Sequence, residues 1–313
     1  MLDPQAAALI ALMAQRQVPP THTLAPADAR RLYLERRFYT QPDAPAVAAV
    51  QALVGSGNVP LRLYRPAHAA PGTLPVLVYF HGGGWTMGDL ETHDVLCRQL
   101  CNGAGVAVLA VDYRLGPEHR FPAAVDDAIE ATRWLRTQAV ALGLDPARVA
   151  VGGDSAGGNL AAVVALALRD AADAHAWPSL AFQLLIYPAT DMRAGADSHR
   201  RNGQGYVLTA DTVAYFRGHY MDDPAEYGDW RASPLLAADL TRLPPALVLT
   251  AGYDPLLDEG RQYADALSAA GCRVQYVCFE RQIHGFVPMG RVLDEARTAV
   301  ALCCAVLRQA LGG

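Results

Sequence analysis

The chain has 313 residues, of which 52% are hydrophobic and 18% charged, and its formal net charge is −5. This composition is typical of a globular protein with a large core, and it provides no basic field to attract nucleic acid or anionic lipid. Because no uncharged apolar stretch approaches about 20 residues, a spanning helix is excluded. We therefore expect a soluble, cytoplasmic protein that binds neither nucleic acid nor membrane.

Residues 1–45 are predicted to form two helices that are separated by the turn-rich segment VPPTHTLAP. Asp3 stands where a secretory signal would carry a positive charge, so we interpret the first segment as an amphipathic helix. Both helices precede the strand-and-helix alternation of the remaining chain and do not fit it.

Six short runs rich in Val, Leu and Tyr are predicted to be strands. Their almost continuous apolar character is typical of strands buried on both faces of a parallel sheet. Helical patterns lie between and after them, so the chain is predicted to form a doubly wound, mostly parallel α/β sheet. The strands are expected at 75–80, 106–113, 149–153, 180–187, 246–253 and 274–279. The helices are expected at 122–142, 159–174, 259–271 and 291–311.

A glycine-rich loop, HGGGW, follows the strand over 75–80. Three consecutive glycines let the backbone turn its N–H groups inward without interference from a Cβ. Such a loop suits the stabilisation of a developing oxyanion. A phosphate-binding loop is the alternative, but the segment has neither GKS/T nor a GxGxxG-to-helix transition. We interpret the flanking His81 and Trp85 as scaffolding for this loop, with contact to substrate as the alternative for Trp85. Glu118, further along, is interpreted as a structural residue that forms a hydrogen bond or an ion pair.

Ser155 lies in the pentapeptide GDSAG, between a predicted strand and a predicted helix. Gly153 and Gly157 relieve the clashes that arise where strand and helix pass close to a sharp turn. The turn exposes a hydroxyl at a helix N-terminus, where free N–H groups favour negative charge. The pattern predicts a nucleophile elbow at Ser155, with the N–H of Ala156 as one oxyanion donor.

The segment over about 190–235 is polar, turn-rich and long for an insertion in a compact fold, which is usually a sign of function. We expect it to form a cap together with residues 1–45, over a catalytic domain spanning 46–313. Its aromatic residues have two interpretations, since they could line an acyl pocket or only pack the cap. They are Tyr206, Phe216, Tyr220 and Trp230.

A serine nucleophile needs a base and a carboxylate that orients the base, and in this fold the chain order is Ser, acid, His. His284 is the only histidine beyond residue 255. Asp254 directly follows the strand over 246–253 and is the preferred acid. Asp258 and Glu259 are the alternatives, although they fall in the next helix, where acidic residues commonly serve the first turn.

The six cysteines form no CxxC and none has a histidine at metal-ligand spacing. We therefore expect free thiols in a reducing compartment and no metal site built on cysteine.

Several blocks of the sequence together resemble the bacterial hormone-sensitive-lipase-like esterases. They include HGGGW at 81–85, GDSAGGNLA at 153–161, TAGYDPLLDEG at 250–260 and IHGF at 283–286. The resemblance implies an α/β-hydrolase fold with a helical cap and no cofactor. It also implies a homodimer through an edge strand and the C-terminal helix. The family's catalytic residues fall on Ser155, Asp254 and His284, and its oxyanion-hole amides on Gly83, Gly84 and Ala156.

The function expected from these observations is carboxylesterase activity on small esters with short to medium acyl chains, through a Ser-His-Asp triad and an acyl-enzyme. The same groups could instead act on an amide, a lactone or a sugar acetate, because the pocket selects the leaving group. A more distant alternative is a receptor that binds ligands on a hydrolase fold without catalysis.

Overall fold

The computed structural model describes residues 1–69, 72–175 and 178–312. In these ranges eight strands form one sheet in the order β1-β2-β4-β3-β5-β6-β7-β8. Strands β3 to β8 pair in parallel, whereas β1 and β2 are antiparallel at one edge. The strands are β1 Ala49–Val54, β2 Pro60–Arg65, β3 Leu74–Phe80, β4 Ala107–Val111, β5 Leu144–Asp154, β6 Phe182–Ile186, β7 Ala246–Tyr253 and β8 Val274–Ile283.

The predicted doubly wound, mostly parallel α/β sheet is confirmed. Every residue of β3, β4 and β6 is buried, as their continuous apolar runs indicate. The two antiparallel strands β1 and β2 were missing from the prediction. Strand β1 reads AVQALV and is therefore as apolar as the central strands, but most of its residues are exposed to solvent.

Helices cover both faces of the sheet. Two hydrophobic clusters result, one on each face, with α3 and α9 on one side and α4, α5 and α8 on the other. The longer helices are α1 Pro4–Gln15, α2 Pro26–Thr40, α3 Asp94–Ala104, α4 Ala123–Gln138, α5 Ala156–His175, α8 Leu257–Ala269 and α9 Asp294–Leu311. Two further helices, α6 Asp197–Arg201 and α7 Ala210–Tyr220, lie in the segment over 190–235. No helix within the described ranges is long and apolar enough to cross a membrane.

The N-terminal helices contact the body of the fold through Arg30 of α2. Its guanidinium donates to the carbonyl oxygens of Thr86 and Gly116, both at 2.8 Å. It also pairs with both carboxylate oxygens of Glu118, at 2.8 and 2.6 Å, which lowers the pKa of that acid to about 2. The ion pair expected for Glu118 is therefore present, and it holds α2 over the loop that follows β3.

The carboxyl ends of the parallel strands share one edge of the sheet. The loop after β3, the turn after β5 and the segments after β7 and β8 all leave from that edge. In open α/β sheets this is the edge where sites form. All the residues selected from the sequence as candidates for catalysis follow one of these four strands.

Candidate active site

Ser155 occupies the sharp turn between β5 and α5. Its φ of 56° lies in the left-handed region, which is strained for a side chain other than glycine. Its N–H donates to the carbonyl of Ile186 at 2.8 Å, which helps to hold that conformation. A Cβ on Gly153 or on Gly157 would overlap the carbonyl oxygen of Phe80. The flanking glycines therefore let the turn lie directly against the end of β3.

His284 and Asp254 follow the neighbouring strands β8 and β7. Nε2 of His284 lies 2.9 Å from Oγ of Ser155, and Nδ1 lies 2.6 Å from Oδ2 of Asp254. Asp254 is fully buried, and its second oxygen accepts the N–H of Leu256 at 2.8 Å. Because a carboxylate only accepts, Nδ1 donates to Asp254 and Nε2 is left to accept from the serine hydroxyl. The structure brings the three predicted residues together in one hydrogen-bonded series.

The alternative acids have other partners. Asp258 accepts the N–H of Ser198 at 2.8 Å. Glu259 is buried and lies 2.6 Å from Nε2 of His199. Burial raises the pKa of Glu259, although His199 opposes this shift. Neither acid hydrogen-bonds to His284 within the described part of the chain.

The three backbone N–H groups selected as oxyanion donors belong to buried residues. Gly83 and Gly84 have φ values of 124° and 60°, which glycine adopts without strain. Ala156 is the first residue of α5, where N–H groups have no partner within the helix. None of these three N–H groups donates a hydrogen bond to another residue in the described ranges. They are available to an oxyanion near Ser155.

A hydrogen bond joins the glycine loop to Asp154, the residue before Ser155. The buried carboxylate of Asp154 accepts the N–H of Gly82 at 2.9 Å and the hydroxyl of Tyr79 at 2.8 Å. It also lies 3.1 Å from Nε2 of His93. Burial alone would raise the pKa of Asp154, but His93 and the hydrogen bonds it accepts lower the pKa below its ordinary value. A buried, ionised carboxylate thus joins the loop to the turn that carries Ser155.

His81 and Trp85 contact this loop as expected for scaffolding residues. Nδ1 of His81 lies 2.9 Å from the carbonyl oxygen of Gly82, and its ring stacks on Tyr113 at 4.3 Å. Burial lowers the pKa of His81 to about 4, so the ring is neutral near pH 7. Trp85 stacks on Tyr220 of α7 with ring centroids 4.7 Å apart.

A narrow cavity lies beside Ser155. The space open to the centre of a water molecule is about 40 Å³. Of the four aromatic residues proposed from the sequence, Phe216 lines the cavity, whereas Tyr220 packs on Trp85 and Tyr206 on Tyr253. The larger apolar side chains that line it are Trp85, Met192, Leu208, Val213, Phe216 and Leu256. The ionisable residues that line it are Asp191, His199, Arg217 and Glu259.

Sequence reasoning missed Met192, Leu208 and Val213 as cavity residues. The available signal was that they are apolar residues within the segment interpreted as a cap. No group of three or more His, Cys, Asp or Glu side chains is arranged to hold a metal ion in the part of the chain that the structure describes. The six cysteines are free thiols.

Comparison with known proteins identifies relatives over most of the chain. The profile of a family described as alpha/beta hydrolase fold matches residues 77–288. The chain is 48% identical over 234 residues to the carboxylic ester hydrolase LipN of Mycobacterium tuberculosis, with 74% of this chain and 62% of LipN covered. The chain thus spans less than two thirds of LipN. It is 40% identical over 320 residues to an ethyl acetate hydrolase of Pseudomonas putida, with 99% of each chain covered.

A solved structure shares the whole fold. It is the ester-hydrolase EH1AB1 from the metagenome of Lake Arreo, complexed with a derivative of bipyridine phosphonate. The two chains superimpose with a TM-score of 0.94 at 44% sequence identity, and 100% of each is covered.

Proposed function

Because the chain belongs to the alpha/beta hydrolase fold family, among its hormone-sensitive-lipase-like esterases, and is a carboxylic ester hydrolase, we propose that it acts through Ser155, His284 and Asp254. The observation that carries this proposal is the hydrogen-bonded series from Oγ of Ser155 through His284 to Asp254, at 2.9 and 2.6 Å. Serine, base and orienting carboxylate stand in the relationship that nucleophilic catalysis by a hydroxyl requires.

In the proposed first step, Oγ of Ser155 attacks the carbonyl carbon of the ester. Its proton passes to Nε2 of His284, and the π electrons of the carbonyl move to the oxygen. Asp254 keeps the imidazole in the required tautomer and stabilises the imidazolium without itself taking a proton. The negative oxygen is then held by the N–H groups of Gly83, Gly84 and Ala156. Their lack of any other acceptor supports this role.

In the proposed second half of the reaction, the tetrahedral intermediate collapses and Nε2–H protonates the leaving alcohol. The acyl group stays on Ser155 as an ester. His284 next takes a proton from water, which attacks the acyl carbon, and the proton returns to Oγ as the acid leaves. Besides the ester and the attacking water, the proposed transfers use only groups of the chain.

The preferred substrates are proposed to be esters with short to medium acyl chains. The narrow cavity beside Ser155 supports this preference, since bulky side chains such as Leu208 and Phe216 line it and leave little space. Polar and charged side chains line it as well. The relative from Pseudomonas putida is named for the hydrolysis of ethyl acetate, an ester with a two-carbon acyl group.

Residues 1–45 and about 190–235 are proposed to form a cap over the catalytic domain of residues 46–313. Two contacts support the proposal. Nδ1 of His22, which precedes α2, lies 3.5 Å from the hydroxyl of Thr212 in α7, and Arg30 of α2 holds the loop after β3. The cytoplasmic location remains a prediction. A homodimer through β8 and α9 also remains a prediction, and analytical ultracentrifugation of the protein would test it.

A series of p-nitrophenyl esters from acetate to palmitate tests the proposed function, with Ser155→Ala as the control. We expect the highest kcat/KM at short or medium chains and its loss in the variant. An absence of turnover on every ester would overturn the preference for short to medium acyl chains. The same catalytic residues would then be proposed to act on amides, lactones or sugar acetates. Activity that persists in Ser155→Ala would overturn the assignment of the nucleophile.

A further inference from the structure

The aromatic ring of Phe216 lies directly against Gly84 of the glycine loop. A Cβ on Gly84 would overlap Cγ, Cδ1 and Cδ2 of that ring. The same two residues line the cavity that contains Ser155. A side chain of α7, in the segment proposed as a cap, therefore contacts the backbone of a proposed oxyanion donor.

Several contacts hold α7 in place next to the loop. Tyr220, one turn after Phe216, stacks on Trp85 with an interplanar angle of 4°. The carbonyl of Tyr220 accepts the N–H of Phe121 at 2.8 Å. Arg217, next to Phe216, donates to the carbonyl of Met192 at 2.9 Å. These contacts anchor the part of α7 that directly follows Phe216.

The Gly83–Gly84 peptide is held by its carbonyl, which accepts the N–H groups of Met87 at 2.9 Å and Thr86 at 3.2 Å. The ring of Phe216 adds a second constraint, at the α-carbon of Gly84. The backbone of Gly84 itself is flexible. Its φ of 60° is accessible to glycine at no steric cost, but a glycine reaches many other conformations equally well. Rotation of the Gly83–Gly84 peptide would turn an N–H away from the substrate oxygen. Oxyanion donors contribute to the rate only when they already point to the place where charge develops. A rigid surface against the α-carbon of Gly84 opposes that rotation.

We infer that Phe216 is a positioning residue for the oxyanion hole. Through the ring of Phe216, α7 affects stabilisation of the transition state as well as the shape of the acyl pocket. This inference rests on the proposed function, because it takes Gly83 and Gly84 as oxyanion donors. It predicts that truncation of Phe216 weakens binding of the tetrahedral oxyanion more than binding of the ground state. A residue that only lines the cavity would affect both to the same extent.

A matched pair of inhibitors separates the two roles. A short alkyl trifluoromethyl ketone adds Oγ of Ser155 to its carbonyl carbon, the serine proton passes to His284, and the carbonyl oxygen becomes an alkoxide in the oxyanion hole. The trifluoromethyl carbinol of the same chain has nearly the same shape but cannot accept the nucleophile. The inhibition constant of the carbinol divided by that of the ketone therefore reports stabilisation of the oxyanion.

We expect Phe216→Ala to reduce this ratio and kcat on the acetate ester together, each by about 10- to 100-fold. Phe216→Tyr retains the ring against Gly84 and should restore both. Val213→Ala is the matched control, because Val213 lines the same cavity, whereas the three atoms nearest to a Cβ on Gly84 all belong to Phe216. It should change the chain-length profile and leave the inhibitor ratio as in the wild type. If Phe216→Ala does not fold, Phe216→Leu replaces it with the same expected direction.

An unchanged ratio in a folded Phe216→Ala would overturn the inference while the proposed function stands. If the unaltered protein binds ketone and carbinol equally, or if Ser155→Ala retains the difference between them, the proposed function fails and this inference fails with it.

Discussion

Oδ2 of Asp254 lies 2.6 Å from Nδ1 of His284, although 30 residues separate them in the chain. Asp258, only one helical turn further along, instead accepts the N–H of Ser198 and pairs with Arg201 at 3.0 Å. The two aspartates therefore have different roles despite their proximity in the sequence.

The first prediction compares these two acids. Asp254→Asn should lower kcat by roughly 10³- to 10⁴-fold, because the amide can stabilise the wrong imidazole tautomer and not the imidazolium. Asp258→Asn should change kcat by less than about threefold, since an exposed ion pair contributes little. Steady-state kinetics on one p-nitrophenyl ester measure both. A larger loss in Asp258→Asn would show that the acid has been misidentified.

The second prediction concerns the nucleophile. Ser155→Ala should reduce ester turnover to background, while the thermal midpoint stays within a few degrees of the unaltered protein. Alanine removes only the hydroxyl. Since serine and alanine both carry a Cβ, the strain of the φ of 56° at this position is the same in both proteins. Differential scanning calorimetry beside the activity assay checks both parts. Lost activity together with an unfolded protein would carry no information on catalysis, so the fold measurement is required.

The third prediction concerns the acid limb of the activity profile. Since a protonated imidazole cannot take the proton of Ser155, kcat/KM should fall as pH decreases and His284 takes up a proton. The measurement is kcat/KM from pH 4 to 9, with brief exposure to each pH so that unfolding is avoided. A profile in which kcat/KM does not fall toward acid pH would contradict the role of His284 as the base.

The fourth prediction concerns stability rather than rate. The pKa of His81 is lowered from 6.5 to about 4 by burial and by the nearby His93. The unfolded chain therefore binds a proton between these values that the folded chain excludes, so the free energy of unfolding rises with pH across this range. His81 should contribute about 3 kcal/mol of pH dependence, all of it present above pH 6.5 and lost below pH 4.

Urea unfolding at a series of pH values from 4 to 7, in the unaltered protein and in His81→Asn, measures this contribution. We expect a shallower slope of unfolding free energy against pH in the variant, whatever its absolute stability. Equal slopes would mean that His81 is charged or solvated in the folded protein. Acidic groups with lowered pKa values, such as Glu118, act in both proteins and cancel in the difference.

The amino-acid sequence by itself determined the fold class and the order of the candidate residues. Local physical requirements explain why. Strands buried on both faces need continuous apolar runs, a sharp strand-to-helix turn needs glycines beside Ser155, and the single histidine beyond residue 255 left one candidate for the base. Each of these signals lies within a few consecutive residues, so it can be read without knowing which strands are neighbours.

Only the tertiary structure decided which residues meet across the site. Ser155 and His284 are 129 residues apart, and their 2.9 Å contact depends on the strand order β5-β6-β7-β8. The exposure of β1 follows from its place at the edge of the sheet, since its sequence AVQALV is itself apolar. The packing of Phe216 on Gly84 had no local signature, because it joins two distant segments. Contacts of this kind arise from the packing of many elements at once, which no short stretch of sequence encodes.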